Sequence, residues 1–210
     1  MNEHESFDLY LKELIEWNKK FNLTSITDPD AIRLKHFADS LLLLQVLELT
    51  GQSVVDVGAG AGFPGLPLKL VRPKIKLTLI EATRKKVDFL NHLVQTLGLT
   101  EATAVWGRAE DYAAAHRESF DLALARAVAE LNVLAEYCLP LVRVGGVFVA
   151  YKQVEVEAEV LAAGAALKRL GGRLREIRKF PQRSLVVIDK VGPTPAGYPR
   201  PTGIAKKKPL

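Results

Sequence analysis

The feature that most restricts this chain is a short apolar run that ends in an acid and turns at once into glycines. Ser53-Val54-Val55-Asp56-Val57 is followed by Gly58-Ala59-Gly60-Ala61-Gly62. The run reads as a buried strand, the glycines as a tight turn, and Pro64 as the first position of a helix. In an open α/β sheet the ligand sits beyond the carboxyl ends of the strands. Glycines there let the backbone turn and approach a ligand closely. The helix that follows aims its N–H groups and the positive end of its dipole at the same place.

Before and after this turn the pattern supports a single fold class. Phe7, Tyr10, Leu14, Trp17 and Phe21 mark one face of a helix over residues 6–21. Asp28-Pro29 reads as an N-cap and first helical position, with a helix through Ala31 to about Leu49 and a stop at Gly51. Beyond residue 53, strands over 53–57, 76–80, 102–106, 120–125 and 147–151 alternate with helices. Segments 173–179 and 185–190 form a closing hairpin-like pair, and the proline-rich stretch from Gly192 reads as irregular. This predicts a mostly parallel seven-stranded α/β sheet, Rossmann-like, with helices on both faces. The division expected is an N-terminal helical cap (1–50), a core (51–191) and a basic tail (192–210).

Two cofactors with a ribose fit such a site. Glu81 ends the second strand nineteen residues after Gly62, where a carboxylate can accept both hydroxyls of a ribose, and Thr83 opens the next helix beside it. Gly60-Ala61-Gly62-Phe63-Pro64-Gly65 also matches a dinucleotide pattern, so the glycines alone do not choose. Asp56 does. Just before the turn it suits the ammonium end of a methionine moiety and would repel a pyrophosphate. The length of the chain also leaves no room for a dehydrogenase's substrate domain. The reading is therefore a class I S-adenosylmethionine-dependent methyltransferase. After the third strand, Ala109 and Glu110 are placed to read the adenine edge with backbone groups, or else simply form an acidic helix start. After the fourth, Arg126 points into the crevice, toward cofactor or a phosphate, with a surface ion pair as the alternative.

Composition excludes several other chemistries. One cysteine, Cys138, leaves no disulfide framework or thiolate zinc site, and four scattered histidines show no ligand spacing, so no metal is expected. Cys138 shares a helical face with Leu134 and Leu141, which disfavours a cysteine nucleophile. No Asn/Asp-Pro-Pro-aromatic loop of exocyclic-amine methyltransferases follows the fourth strand. Transfer to an atom with a free lone pair, such as guanine N7, remains and needs no general base. No signal peptide or apolar span is visible, so a cytoplasmic protein without a membrane partner is expected, and no heptad or apolar edge suggests more than a monomer. The charge is uneven. Residues 1–50 carry five Lys/Arg against nine Asp/Glu, whereas residues 168–210 carry twelve against two, a net of +10. Such clustering suits a polyanion, or else a solvated basic tail.

Several separate blocks, in order, identify the resemblance. They are Trp17-Asn18-Lys19-Lys20-Phe21-Asn22-Leu23-Thr24, His36-Phe37-Ala38-Asp39-Ser40, the run Asp56 to Gly65, Arg84-Lys85-Lys86 with Phe89-Leu90, Arg126-Ala127, Tyr151-Lys152, Pro193-Thr194-Pro195, Tyr198-Pro199-Arg200 and Lys208-Pro209-Leu210. With these the chain resembles, almost end to end, the bacterial 16S rRNA (guanine-N7)-methyltransferase G family, also called glucose-inhibited division protein B. The resemblance implies S-adenosylmethionine as donor and a guanine in the 530 loop of small-subunit rRNA as acceptor, so that 16S rRNA or the small ribosomal subunit is the partner. It implies that Gly58 and Phe63 line the donor, that Ala109-Glu110 contact adenine, that Arg126 sits at the transfer site, and that the cap lies over the pocket. Glu81 stands where many relatives have Asp. Lys152, Arg200 and Lys206 are the candidate RNA contacts. Competing readings are a methyltransferase of another RNA or a small molecule, and a non-catalytic RNA-binding assembly factor.

Overall fold

In the computed structural model, which describes residues 2–210, seven strands form one sheet in the order β3-β2-β1-β4-β5-β7-β6. They are β1 (Ser53–Val57), β2 (Lys76–Glu81), β3 (Ala102–Trp106), β4 (Phe120–Arg126), β5 (Val142–Lys152), β6 (Gly172–Phe180) and β7 (Arg183–Lys190). The first five run parallel, and β7 lies antiparallel between β5 and β6. Chain order reverses at β1, with β2 on one side and β4 on the other, so the crevice opens where the glycine turn leaves β1.

Strand alternation divides the core into two layers. Val54, Leu77, Leu79, Leu124, Val149 and Val187 face one side, against α1 (Glu3–Asn18), α4 (Gly65–Val71) and α5 (Arg84–Thr96). Val55, Val57, Ala123, Ala125, Phe148 and Val186 face the other, against α6 (Ala109–Ala115), α7 (Leu131–Cys138) and α8 (Glu157–Arg169). Both faces are covered, which is why the middles of the central strands β1 and β4 are apolar at every buried position except Asp56. Cys138 is buried in the second layer.

Three expectations change. The first helix begins early, because Asn2 and Glu5 close a capping box. It ends at Asn18, whose Oδ1 accepts from the N–H groups of Leu23 and Thr24 and folds the chain back. The expected helix over 31–49 is broken. Asp28 caps α2 (Pro29–Ile32) as its sequence suggests, but residues 33–38 form a π-turn before α3 (Asp39–Leu41) and a 3₁₀ turn over 42–45. Ser40 Oγ donates to the carbonyl of His36 at 2.6 Å, a back-bond of the kind that distorts helices. The tail is irregular up to residue 203, as expected, but it is fastened to the core and ends in one helical turn. Arg117 Nη2 holds the carbonyl of Thr194 at 2.8 Å, Arg200 pairs with the fully buried Glu136, and α9 (Ile204–Lys207) closes the chain.

Candidate active site

The glycine turn is held in place from beneath. The N–H groups of Gly58 and Ala59 both donate to the carbonyl of Ile80, at 2.9 and 3.0 Å, tying the end of β1 to the end of β2. Gly58 has φ +73°, and a Cβ there would come within 2.5 Å of Val128 Cγ2. Gly62 has φ +99°, and a Cβ there would meet Leu66 Cδ1 at 2.5 Å and Tyr10 Oη at 2.6 Å. Side chains are thus excluded by backbone angle and by space together.

Glu81 spans the mouth of this turn. Oε2 accepts from Gly60 N–H at 3.0 Å and Oε1 from Thr83 N–H at 2.8 Å. A carboxylate has about four lone-pair sites. Two are used to lock the loops after β1 and β2, and the others are left for a ligand. Glu81, Gly58, Gly60, Phe63, Thr83 and Arg126 all line one cavity of about 470 Å³. A smaller cavity of about 80 Å³ adjoins it, sharing Gly58, Ala82, Arg108 and Val128, and is lined by Ala109 and Glu110. Eight of the ten donor-site candidates therefore surround one continuous hollow.

The other two lie behind it. Gly62 is buried under Tyr10 and Leu66. Asp56, expected to meet an ammonium group directly, is fully buried and points with Val54 into the α4 layer. Its Oδ2 accepts from Gly65 N–H at 2.8 Å, so it steadies the first turn of α4 instead of facing the hollow. Its Oδ1 has no partner among the described residues. Burial pushes the carboxyl up to about 7, against the lowering effect of the Gly65 N–H and of Arg126, with the neighbouring Glu81 adding to the rise.

The far wall comes from the N-terminal segment. Leu23, Thr24 and His36 line the large cavity. The His36 ring stacks on Phe63 at 4.6 Å between centroids, and its Nε2 lies 2.8 Å from Thr24 Oγ1. Burial and the Arg126 charge drive its pKa down to about 4, so the ring is neutral at physiological pH. Arg126 is the hub. Its guanidinium lies 5.1 Å over Phe63, and Nη1 donates to Asp39 Oδ2 at 2.9 Å and to the Lys35 carbonyl at 3.3 Å. Nη2 lies 3.3 Å from His36 Nδ1. The other oxygen of Asp39 accepts from Arg183 Nε. Because β7 runs antiparallel, its first residue, Arg183, arrives at the same sheet end as the carboxyl ends of β4 and β5.

A third cavity, about 480 Å³, opens on the other side of this cluster and is lined by Lys35, His36, Asp39, Arg126, Gln182 and Arg183. His36, Arg126 and Ala127 belong to both large cavities and form their shared wall. Sequence reasoning assigned no role to Thr24, His36, Asp39, Lys86, Arg108 or Arg183. For His36 and Asp39 the signal present was the acid and histidine in one helical block; for Arg183 there was none.

The RNA candidates separate. Lys152 is mostly buried, with Nζ on the Ala129 carbonyl at 2.8 Å and on Glu159 at 2.5 Å. Arg200 grips Glu136 with Nε at 2.9 Å and Nη2 at 2.5 Å. Both cations are held by acids of the chain itself, Glu159 and Glu136. Lys206 is exposed. The tail also reaches the adenine-side hollow, where Gly203 N–H donates to Glu110 Oε1 at 2.9 Å. Among the described residues no group of three His, Cys, Asp or Glu is placed to hold a metal ion, and no helix is long and apolar enough to cross a membrane.

The glycine cradle and the partly unsatisfied Glu81 carboxylate at its mouth form a set that fits S-adenosylmethionine. Comparison with known proteins agrees with this chemistry. Residues 3–186 match the family model described as rRNA small subunit methyltransferase G. The ribosomal RNA small subunit methyltransferase G of Desulforamulus reducens is 47% identical, over 100% of this chain and 91% of the relative. That of Symbiobacterium thermophilum is 50% identical, over 98% and 89%. Among solved structures, an Aquifex aeolicus SAM-dependent methyltransferase matches 75% of this chain and 92% of its own with a TM-score of 0.58 at 19% identity. A ribosomal protein L11 methylase from Lactobacillus delbrueckii matches 75% and 79% with a TM-score of 0.60 at 13% identity. The two structures show the shared fold.

Proposed function

This chain belongs to the rRNA small subunit methyltransferase G family, and on that premise we propose that it moves a methyl group from S-adenosylmethionine to N7 of a guanine in the 530 loop of 16S rRNA. The observation that carries the proposal is the pair of large cavities meeting at Arg126, His36 and Ala127. One has the glycine turn and Glu81 for the donor. The other has cationic donors and room for a nucleotide.

When bound, the donor supplies an electrophilic methyl on a sulfonium, and this chain supplies positioning. Gly58, Gly60, Phe63, Glu81 and Thr83 hold the methionine and ribose portions. Ala109 and Glu110 flank the adenine end, fastened there by the tail at Gly203. Asp56 acts from behind the turn, keeping α4 in place.

Guanine N7 carries its own lone pair, so no base has to remove a proton. The neutral His36 and the absence of a free carboxylate at the shared wall suit that requirement. Nη1 of Arg126 is engaged by Asp39 and Lys35, while Nε has no acceptor among the described residues and Nη2 has at most the neighbouring His36 ring, so N–H donors remain for the incoming nucleotide. The Hoogsteen edge of guanine presents O6 beside N7. A donor on O6 orients the base and leaves N7 open to the methyl carbon. The rate then comes from in-line alignment in a site closed by the stacked His36 and Phe63.

The test is cleavage mapping of 7-methylguanosine in 16S rRNA from a strain lacking the gene, with and without the gene restored. Loss and return of one modified guanine in the 530 loop is the expected result. An unchanged pattern would refute the proposal.

A further inference from the structure

Trp106 ends the edge strand β3 and is 58% exposed. An indole left in water on a strand edge gives up most of the burial it could gain. It is nevertheless oriented: Nε1 donates to the Ala82 carbonyl at 3.0 Å, and Ala82 lines both the donor cavity and the adenine-side hollow. The ring is thereby fixed at the rim of the site. The Arg84 guanidinium lies 5.3 Å from its centroid and is itself steered by Asp88 at 3.2 Å. Further cations lie at the adjoining cavity. Lys86 and Arg108 line the cavity, Lys85 lies 5.0 Å over Phe21, and none of the three has a carboxylate partner among the described residues.

We propose that Trp106, with Arg84 stacked on it, is a platform for an unpaired nucleobase of the RNA, flanking the base that enters the active site. The inference rests on the RNA reading above. An exposed aromatic ring set among unpaired cations is the arrangement that binds single-stranded RNA, with bases on the ring and phosphates on the charges. A protein partner would call for a broader apolar surface than one exposed indole bordered by cations.

Full-length wild type, Trp106→Ala, Trp106→Phe and Arg84→Ala are compared in two measurements. Tryptophan fluorescence is titrated with single-stranded oligoadenylate and oligouridylate, and methyl transfer is followed on small ribosomal subunits from a strain lacking the gene. The expected result is quenching in wild type that Trp106→Phe abolishes, and a KM for subunits raised about 10-fold in Trp106→Ala and mostly restored in Trp106→Phe. The kcat and the donor Kd stay unchanged. Absent quenching, or a subunit KM that Trp106→Ala leaves at the wild-type value, overturns the platform while the methyltransferase reading stands. A raised donor Kd with unchanged subunit KM also overturns it and makes Trp106 part of the donor pocket. Quenching in a wild type that methylates no subunit supports the platform and overturns the substrate reading instead.

Discussion

Asp39 holds Arg126 at 2.9 Å across 87 residues of chain, with both side chains less than a tenth exposed. The acid comes from the N-terminal segment and the cation from the end of β4, so this pair joins that segment to the wall shared by the two large cavities. Removing one partner of a buried pair leaves an uncompensated charge, worth about 3–5 kcal/mol. Asp39→Ala is expected to lower kcat by at least about 100-fold and to lower the melting temperature. Asp39→Asn, which keeps an acceptor for Arg126, retains more of both. Steady-state kinetics and thermal melts of the two variants check this.

Glu81 has a different expected signature, because its free lone pairs face the donor cavity. Hydrogen bonds to a charged acceptor contribute about 1.5–3 kcal/mol. Glu81→Ala should therefore weaken S-adenosylmethionine binding by roughly 10- to 150-fold in calorimetry. Glu81→Asp, one methylene shorter, should fall between Glu81→Ala and wild type.

Asp56 makes stability depend on pH. Its carboxyl is pushed by burial from 3.8 to about 7, so between those values the folded state binds a proton that the unfolded state has lost. Stability from this group is full below about pH 4, falls as pH rises toward 7, and levels above. The slope approaches about 1.4 kcal/mol per pH unit at most. Over part of this interval His36, held at about 4 in the folded state, contributes a slope of opposite sign, so the readout is the difference between wild type and Asp56→Asn, which still offers an acceptor to Gly65 N–H. In denaturant unfolding the stability of wild type relative to Asp56→Asn should fall as pH rises from about 4 to about 7, and a difference that stays constant or rises over this interval would refute the assignment.

Two glycines of one turn should fail differently. Gly62→Ala meets Leu66 and Tyr10 within 2.6 Å at φ +99°, and should cost at least about 1–3 kcal/mol of folding stability. At Gly60, φ is +60° and the nearest atom to a Cβ is 3.9 Å away. Gly60→Ala should cost only about 1–2 kcal/mol while lowering donor affinity, since that residue faces the cavity. Melting curves and donor titrations separate the two outcomes.

The basic tail should likewise divide into structure and contact. Arg200→Ala strands the buried Glu136 and should reduce stability without changing the salt dependence of RNA binding. Replacing Lys206, Lys207 and Lys208 with Gln should leave the melt unchanged. For each of these lysines that neutralises a phosphate, the salt slope should drop by about 0.7–0.9. Binding isotherms at several salt concentrations decide this.

Where sequence reasoning succeeded, the determining forces were local. Apolar runs and breaker residues located six of the seven strands within two residues at either end, though β5 begins at Val142, five residues before its expected start, and runs through the expected Gly145-Gly146 turn. Asp28-Pro29 marked a helix start, because burial period and capping depend on neighbours in the chain. The π-turn at 33–38 escaped it, since Ser40 bonding back to His36 competes with ordinary helix bonds that the same residues equally well support. That Arg200 and Lys152, candidate RNA contacts in the sequence, are paired with Glu136 and Glu159 escaped it too, because those partners are named only by the packing of distant helices.

By itself the sequence determined the parallel α/β sheet, the glycine turn at its switch point and the acid two loops away, through periodicity and the steric needs of a tight turn. Which atoms meet across that turn was decided by tertiary structure. Asp56 faces α4 because strand side chains alternate, and its position in β1 puts it on the sheet face of Val54 and not in the crevice. Arg183 reaches Arg126 because β7 runs antiparallel, a choice made by sheet pairing over a separation no local signal spans. The Asp39 clasp between them exists only once cap and core are packed together.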